Sequence, residues 1–244
     1  MRLLITLSPL QDTPQPISKH HIQSTFYKIF KAIKLNKIHL KEGYKYFCFS
    51  NIFPFKKNKE FKKSSKLNIL FSSPQKDLIY SLNGYLNSKP IINLGKYKFQ
   101  IENSKALNNF YNKTNLVLIT ATPIVITIHK HLFTKFNIKS DREQLLWNNG
   151  MPLNAFVEGL NINLIRKYNK YNNTQVDEKI NLIKNFKFKN FALVPYQKGK
   201  IAASYWEFVP NIKSKLVKQI VNFGLDCGFG EKNSAGFGFM NIIN

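Results

Sequence analysis

Phe223-Gly-Leu-Asp-Cys-Gly-Phe-Gly-Glu-Lys-Asn-Ser-Ala-Gly-Phe-Gly-Phe239 is the stretch from which the rest of the chain is read. Glycines stand at 224, 228, 230, 236 and 238, so 5 of the chain's 11 glycines fall within 15 residues. Two Gly-Phe-Gly triplets, 228–230 and 236–238, bracket Glu231-Lys232-Asn233-Ser234-Ala235. Glycine loses more backbone freedom on folding than any other residue, so this density marks backbone that needs φ > 0 or close approach to a partner. Exposed N–H groups in such a loop suit phosphate oxygens, and Lys232 adds charge. The Gly-Lys-Ser/Thr ending of a mononucleotide P-loop is absent, so the loop is not that kind of cradle.

The composition narrows the partner. In 244 residues, 37 Lys and Arg face 13 Asp and Glu, a net charge of +24. Such a charge is a statement about partners: nucleic acid first, an anionic membrane second. Compositional drift toward Lys, Asn and Ile explains Lys in place of Arg, but not the shortage of Asp and Glu. Hydrophobic residues make up 43% of the chain, with 21 Phe and 11 Tyr, enough to build a core. Cys48 and Cys227 give neither metal-ligand spacing nor a disulfide framework, which fits a reducing compartment. The opening Met1–Leu10 does not read as a signal peptide. The longest apolar run, Leu116–Ile128, contains Pro123 and is too short to span a bilayer. The expectation is a soluble, cytoplasmic protein with no membrane partner.

Taken in order, residues 2–8 read as a buried strand, and Ser18 as the N-cap of an amphipathic helix over 18–35 carrying Ile22, Phe26, Ile29, Phe30 and Ile33. Tyr44–Phe53 and Leu67–Phe71 read as strands, Pro74–Leu86 as a helix, and Ile91–Glu102 as a strand turning at Gly95. That order is β-α-β-β-α-β. The second half repeats it: a strand at Leu116–Ile128, helix over much of Asp141–Tyr168, a hairpin of Phe186–Val194 and Ile201–Val209, a helix at Asn211–Asn222, and a closing strand at Phe237–Ile243. The fold class expected is α+β, with two tandem ferredoxin-like (RRM-like) domains, 1–110 and 111–244, the second carrying the glycine-rich loop 223–239.

Two Gly-aromatic-Gly triplets five residues apart, just before a C-terminal strand, resemble the glycine-rich loop of the CRISPR-associated repeat-processing endoribonucleases of the RAMP superfamily. Met1-Arg-Leu-Leu-Ile-Thr-Leu7 is similar to that family's first strand. His20-His-Ile-Gln-Ser-Thr-Phe-Tyr-Lys-Ile-Phe-Lys-Ala-Ile33 is similar to its first helix, and Thr122-Pro-Ile-Val-Ile126 to the strand opening its second domain. The resemblance implies two ferredoxin-like domains, CRISPR repeat RNA (precursor crRNA) as the partner, and cleavage inside each repeat without a metal or other cofactor. The implied chemistry is attack by the ribose 2′-OH on the adjacent phosphate, giving a 2′,3′-cyclic phosphate and a 5′-OH. It needs a base, a cation for the phosphorane and an acid for the leaving oxygen.

The resemblance implies His39 as the base and Lys45, six residues on, as the cation, although Lys37 and Lys41 are neighbouring ammonium groups and a histidine here can equally be structural. Where some members carry a catalytic tyrosine, this chain has Phe30. Tyr27, one turn earlier on roughly the same face, is the substitute or else a plain core aromatic. His39 acting as both base and acid is another solution, and His20 and His21 are fallbacks. For RNA binding the candidates are Gly228, Gly230, Lys232, Asn233, Ser234, Gly236 and Gly238 in the loop. Lys187 and Lys189 join them, since in Phe186-Lys-Phe-Lys-Asn-Phe191 the period-two alternation puts the lysines on one strand face and the phenylalanines on the other. Lys56–Lys66 reads as an electrostatic funnel, and His129-Lys-His131 as too sparse for a metal site. A catalytically inactive repeat-RNA-binding subunit of a CRISPR effector complex is the competing reading. The residues leave open the repeat sequence, its hairpin or unstructured state, and whether the chain is a homodimer.

Overall fold

Strand β1 (Arg2–Pro9) sets the first half of the molecule: Leu3, Ile5 and Leu7, at alternate positions, are at most 1% exposed and start its core. The computed structural model describes residues 1–35, 42–54, 60–107 and 116–243. The chain divides into two compact units, Met1–Phe110 with Asn233–Gly236, and Tyr111–Lys232 with Phe237–Asn244. The expected second domain held all of 223–239; four of those residues, Asn233–Gly236, group with the first unit instead.

In the first unit β1 leads into helix α1 (Lys19–Ala32), then β2 (Cys48–Phe49), β3 (Leu67–Ser72), helix α2 (Lys76–Ser88), β4 (Ile91–Leu94) and β5 (Tyr97–Leu107). Ser18 caps α1 as expected: its Oγ accepts from His21 N, while Ser18 N donates to His21 Nδ1. Burial, followed by the charge of His20, holds His21 below its usual pKa, so it stands as a neutral acceptor. The apolar stripe Ile22, Phe26, Ile29 and Phe30 packs on the sheet, with the Phe26 ring 4.8 Å from Phe71. The strand order β2-β3-β1-β5-β4 is antiparallel throughout; β2, β3, β1 and β5 form the ferredoxin-like set, and β4 extends the edge as a hairpin with β5. Tyr44–Phe53 was expected to be one strand. It narrows to Cys48–Phe49 because Tyr46 takes φ 54, a left-handed conformation that cannot continue a ladder.

The second unit runs β6 (Val117–Thr120), β7 (Thr127–His129), β8 (Gln144–Leu146), helix α3 (Leu153–Asn172), β9 (Ile183–Tyr196), β10 (Gly199–Pro210), helix α4 (Lys215–Cys227) and β11 (Met240–Ile243). Its main sheet has the order β11-β6-β10-β9, again antiparallel and again the ferredoxin-like order. The fold is therefore α+β, with two β-α-β-β-α-β units in tandem. Three expectations are corrected. The strand expected at Leu116–Ile128 breaks after Thr120, and β7 pairs with β8 rather than with the main sheet. Residues 144–146 are thus strand, and the helix begins only after Pro152, which has no N–H to bring to it. Helix α4 runs on to Cys227, so Gly224 is helical, and a Cβ there would sit 2.8 Å from the Phe229 ring.

Trp206, 0% exposed on β10, centres this second core. Its ring lies 4.3 Å from Phe156 at 16°, 5.6 Å from Trp147 and 5.2 Å from Phe188, and its Nε1 donates to Ser204 Oγ at 2.7 Å. Such contacts exceed simple area burial because the rings meet in offset and edge geometries. Trp206→Ala is expected to cost about 3–5 kcal/mol of unfolding free energy, the range for emptying a buried tryptophan site. Urea denaturation followed by circular dichroism checks this; a loss under about 1 kcal/mol would mean that this aromatic cluster does not hold the unit.

Candidate nucleic-acid interface

The glycine loop follows directly from the end of α4. Gly228, Gly230, Gly236 and Gly238 take φ of 89°, 70°, 83° and 72°, and Lys232 takes 54°. All four glycines occupy the left-handed region that a side chain disfavours, which accounts for their density. The aromatic members of the triplets point inward: Phe229 and Phe237 are 2% and 1% exposed.

Five of the loop's N–H groups are committed to the fold. Gly228 N donates to Gly224 O, Phe229 N to Gly238 O, Glu231 N to Val125 O, Gly236 N to Asn233 O, and Gly238 N to Pro123 O. The expected outward-facing phosphate cradle is thus corrected for these five groups. The carboxylate of Glu231 accepts from Thr127 N at 2.8 Å and Thr127 Oγ1 at 2.9 Å, pinning the loop to the first residue of β7. In the first unit, Lys19 Nζ donates to Gly236 O at 2.7 Å. What the loop offers to solvent is its tip. Lys232 is exposed, with Nζ 5.3 Å from the centre of the Tyr196 ring, while Asn233 and Ser234 are half-buried in a 3-10 turn.

Sequence reasoning missed three of the residues that shape this region: Lys167, Glu231 and Tyr196. Lys167 is 2% exposed, and its Nζ reaches Gly228 O at 2.5 Å and Gly230 O at 3.0 Å. The signal was present, because 160, 164 and 167 share one helical stripe and a lysine there interrupts an apolar face. Glu231 and Tyr196 had no such signal, as their partners are remote in sequence.

On β9 the alternation behaves as read. Phe186 and Phe188 pack on Trp206, while Lys187 and Lys189 are on the other face and exposed. Lys189 pairs with Glu207 at 2.6 Å, and Lys187 lies across the strand from the same carboxylate. The Lys189 hydrogen bond, helped by both lysine charges, holds Glu207 below the usual carboxylate range despite some opposing desolvation. One acidic group therefore offsets part of this basic face. On the same strand as Glu207, burial pushes the Tyr205 phenol up.

Of the catalytic candidates, His39 lies outside the described residues, as do Lys37 and Lys41. Lys45 is half-buried in the irregular stretch before β2, rather than at the start of a strand. Tyr27 is half-buried, its ring edge-on to Phe30 and to Phe47, each at 5.9 Å. Phe47 follows Lys45 by two residues, so the structure brings Tyr27 together with the stretch that carries Lys45. Phe30 is 0% exposed and belongs to the core. His20 is exposed, and His21 is spent on the α1 cap. The His129 and His131 rings stack at 6.1 Å. Among the described residues, no group of three or more His, Cys, Asp and Glu could hold a metal ion. Of the lysine run 56–66, residues 56–59 lie outside the described residues; Lys62 pairs with Asp12 at 2.9 Å. No helix among the described residues is long and apolar enough to cross a membrane.

With this geometry in hand, the likenesses to known proteins are informative. Residues 102–242 match the family model of the CRISPR associated protein Cas6, C-terminal. Over the full length of both chains the sequence is 30% identical to the CRISPR-associated endoribonuclease Cas6 2 of Methanocaldococcus jannaschii. It is 25% identical to the CRISPR-associated endoribonuclease Cas6 of Haloferax mediterranei, over 100% of this chain and 94% of that one. A solved structure of a CRISPR associated protein Cas6 has the same fold with a TM-score of 0.73, at 22% identity, covering 100% of this chain and 99% of the other.

Gly230 in the loop and Gly199 in the hairpin are expected to respond differently to alanine. A Cβ at Gly230 would lie 2.5 Å from Ile124 Cγ2 and 2.6 Å from Val125 O, with φ at 70°, whereas Gly199 has nothing within 4 Å. Gly230→Ala should therefore lose about 2 kcal/mol or more, and Gly199→Ala stay within about 0.5 kcal/mol of the parent. Denaturant midpoints decide it; equal stability of the two variants would remove the steric account of the loop.

Proposed function

This chain belongs to the Cas6 family, and from that premise we propose that it is an endoribonuclease that cleaves precursor CRISPR RNA within its repeats, without a divalent metal. The observation that carries the reading is the match, over the full length of both chains, to a curated endoribonuclease of that family. In this reading the first ferredoxin-like domain carries the catalytic groups and the second the RNA-positioning loop.

The reaction is a transfer at one phosphorus. His39, as neutral imidazole, takes the proton of the ribose 2′-OH while the 2′-oxygen forms its bond to phosphorus. The bond to the 5′-oxygen of the next nucleotide breaks, and a proton delivered to that oxygen gives a 5′-OH beside a 2′,3′-cyclic phosphate. Lys45 supplies the positive charge that the crowded phosphorane needs. Tyr27, or His39 in its protonated form, gives the final proton; Phe30 cannot, since its ring is sealed in the core and bears no hydroxyl.

Binding is assigned to the loop tip and the basic strand face. Lys232, Asn233 and Ser234 offer donors to phosphates or base edges, and Lys187 and Lys189 add backbone attraction. Gly228, Gly230, Gly236 and Gly238 act by shaping the loop, given their burial and positive φ. The protein partners expected are subunits of the effector complex that takes up the product, and a homodimer is the assembly that light scattering would read. The burial of Phe30 favours one second reading, a repeat-binding subunit of such a complex that does not cut.

His39→Ala is expected to slow repeat cleavage by about 10²-fold or more while leaving the affinity for repeat RNA within about threefold of the parent. The parent rate should be the same in excess EDTA, and a 2′-deoxy sugar at the scissile position should abolish cutting. Loss of activity in EDTA would contradict the metal-independent route, and tight binding without any cleavage would select the second reading.

A further inference from the structure

The first Gly-Phe-Gly triplet is closed around a charge that the cleavage reading does not use. Lys167 stands on α3 one turn beyond Leu164 and two beyond Leu160, on the stripe that faces the core. Its ammonium group is inside the protein, where a charge is costly unless hydrogen bonds replace its water. Two of those bonds go to Gly228 O and Gly230 O. Bonds from a charged donor are roughly twice as strong as neutral ones. The nearby Cys227 thiol feels the same ammonium as a downward pull, outweighed by the burial that pushes it up to about 11.

Both carbonyls belong to residues with positive φ, so their inward direction depends on the conformation that requires glycine. One residue beyond Gly230, Glu231 is fixed to Thr127; one further on, Lys232 is exposed. We infer that Lys167 is a positioning residue for RNA: its buried ammonium turns the triplet carbonyls inward and thereby sets where the tip, with Lys232 at its base, is presented. The inference rests on the reading of that tip as an RNA contact. A methionine at this position would fill similar space but leave two buried carbonyl oxygens without these donors, so the triplet would loosen locally.

The test uses the full chain and its Lys167→Met variant with a repeat RNA. Three quantities are read: amide exchange across 228–238 and across β10, the RNA dissociation constant, and the single-turnover rate at saturating RNA. Exchange in the loop should rise about tenfold or more while β10 stays protected. The dissociation constant should rise about tenfold and the saturated rate stay within about threefold. Unchanged loop exchange overturns the inference, as does a loosened loop with parental affinity. Equal loosening of β10 and loop also overturns it, since that is what a merely space-filling residue would give. If Lys167→Met does not fold, Lys167→Gln, which keeps a neutral donor, carries the same comparison with a smaller expected change. A parent that binds no repeat RNA overturns the reading of the loop and this inference with it; equal binding by a parent and variant that both bind overturns the inference alone.

Discussion

The second unit depends on one short piece of backbone, Thr122–Thr127, which is held from several directions at once. Pro123 O accepts from Gly238 N and Val125 O from Glu231 N; Ile124 exchanges both of its backbone bonds with Ser204, and Ile126 O accepts from Trp147 N. Thr122 Oγ1 accepts from Phe239 N, and Thr127 is bound by the Glu231 carboxylate. A segment lying between two strands must find partners for its polar backbone groups, and here the glycine loop, β10 and Trp147 provide them. The loop can approach so closely only because Gly230 has no Cβ: one would meet both Ile124 and the Val125 carbonyl. The unusual glycine spacing is thus a packing requirement of the fold before it is anything else.

That constraint also divides what was legible in the sequence from what was not. The buried strand at 2–8, the Ser18 cap and the Phe186–Phe188 face were read correctly because they are local: an apolar run, a cap three residues from its partner, and a period of two. The break between Thr120 and Thr127 was not, since an apolar run with one proline looks like a strand until its partners, most of them 80 or more residues away, are known. The same holds for 144–146, which pairs with β7 instead of starting a helix. The loop was found but misread in one respect: left-handed glycines suggested N–H groups turned outward, whereas several of those groups bond to the protein and the triplet carbonyls turn inward to Lys167. Lys167 could have been noticed as a charge on an apolar stripe; nothing local marked Glu231.

The charge of the chain fits this division of labour. Of the net +24, some lysines are spent within the structure: Lys167 and Lys19 on glycine carbonyls, Lys189 on Glu207, Lys62 on Asp12. The remaining excess is large enough to attract a polyanion over the distances that salt screening allows, and so to raise affinity without conferring sequence preference. Selectivity for a repeat would then fall to the few donors with fixed geometry, foremost those at the loop tip. Catalysis in the proposed scheme is assigned to the other unit, around the aromatic contact of Tyr27 with Phe47 that holds the Lys45 stretch. Electrostatic capture, positioning and proton transfer would fall to different residues, and for that reason they can be separated by substitution.

The most direct measurement is the chemistry of the ends produced when the purified chain acts on a repeat-containing RNA. Mass spectrometry of the two fragments should find a 2′,3′-cyclic phosphate on the upstream piece and a 5′-OH on the downstream piece. A 3′-OH paired with a 5′-phosphate would show that water, not the ribose hydroxyl, attacks the phosphorus, and would contradict the account.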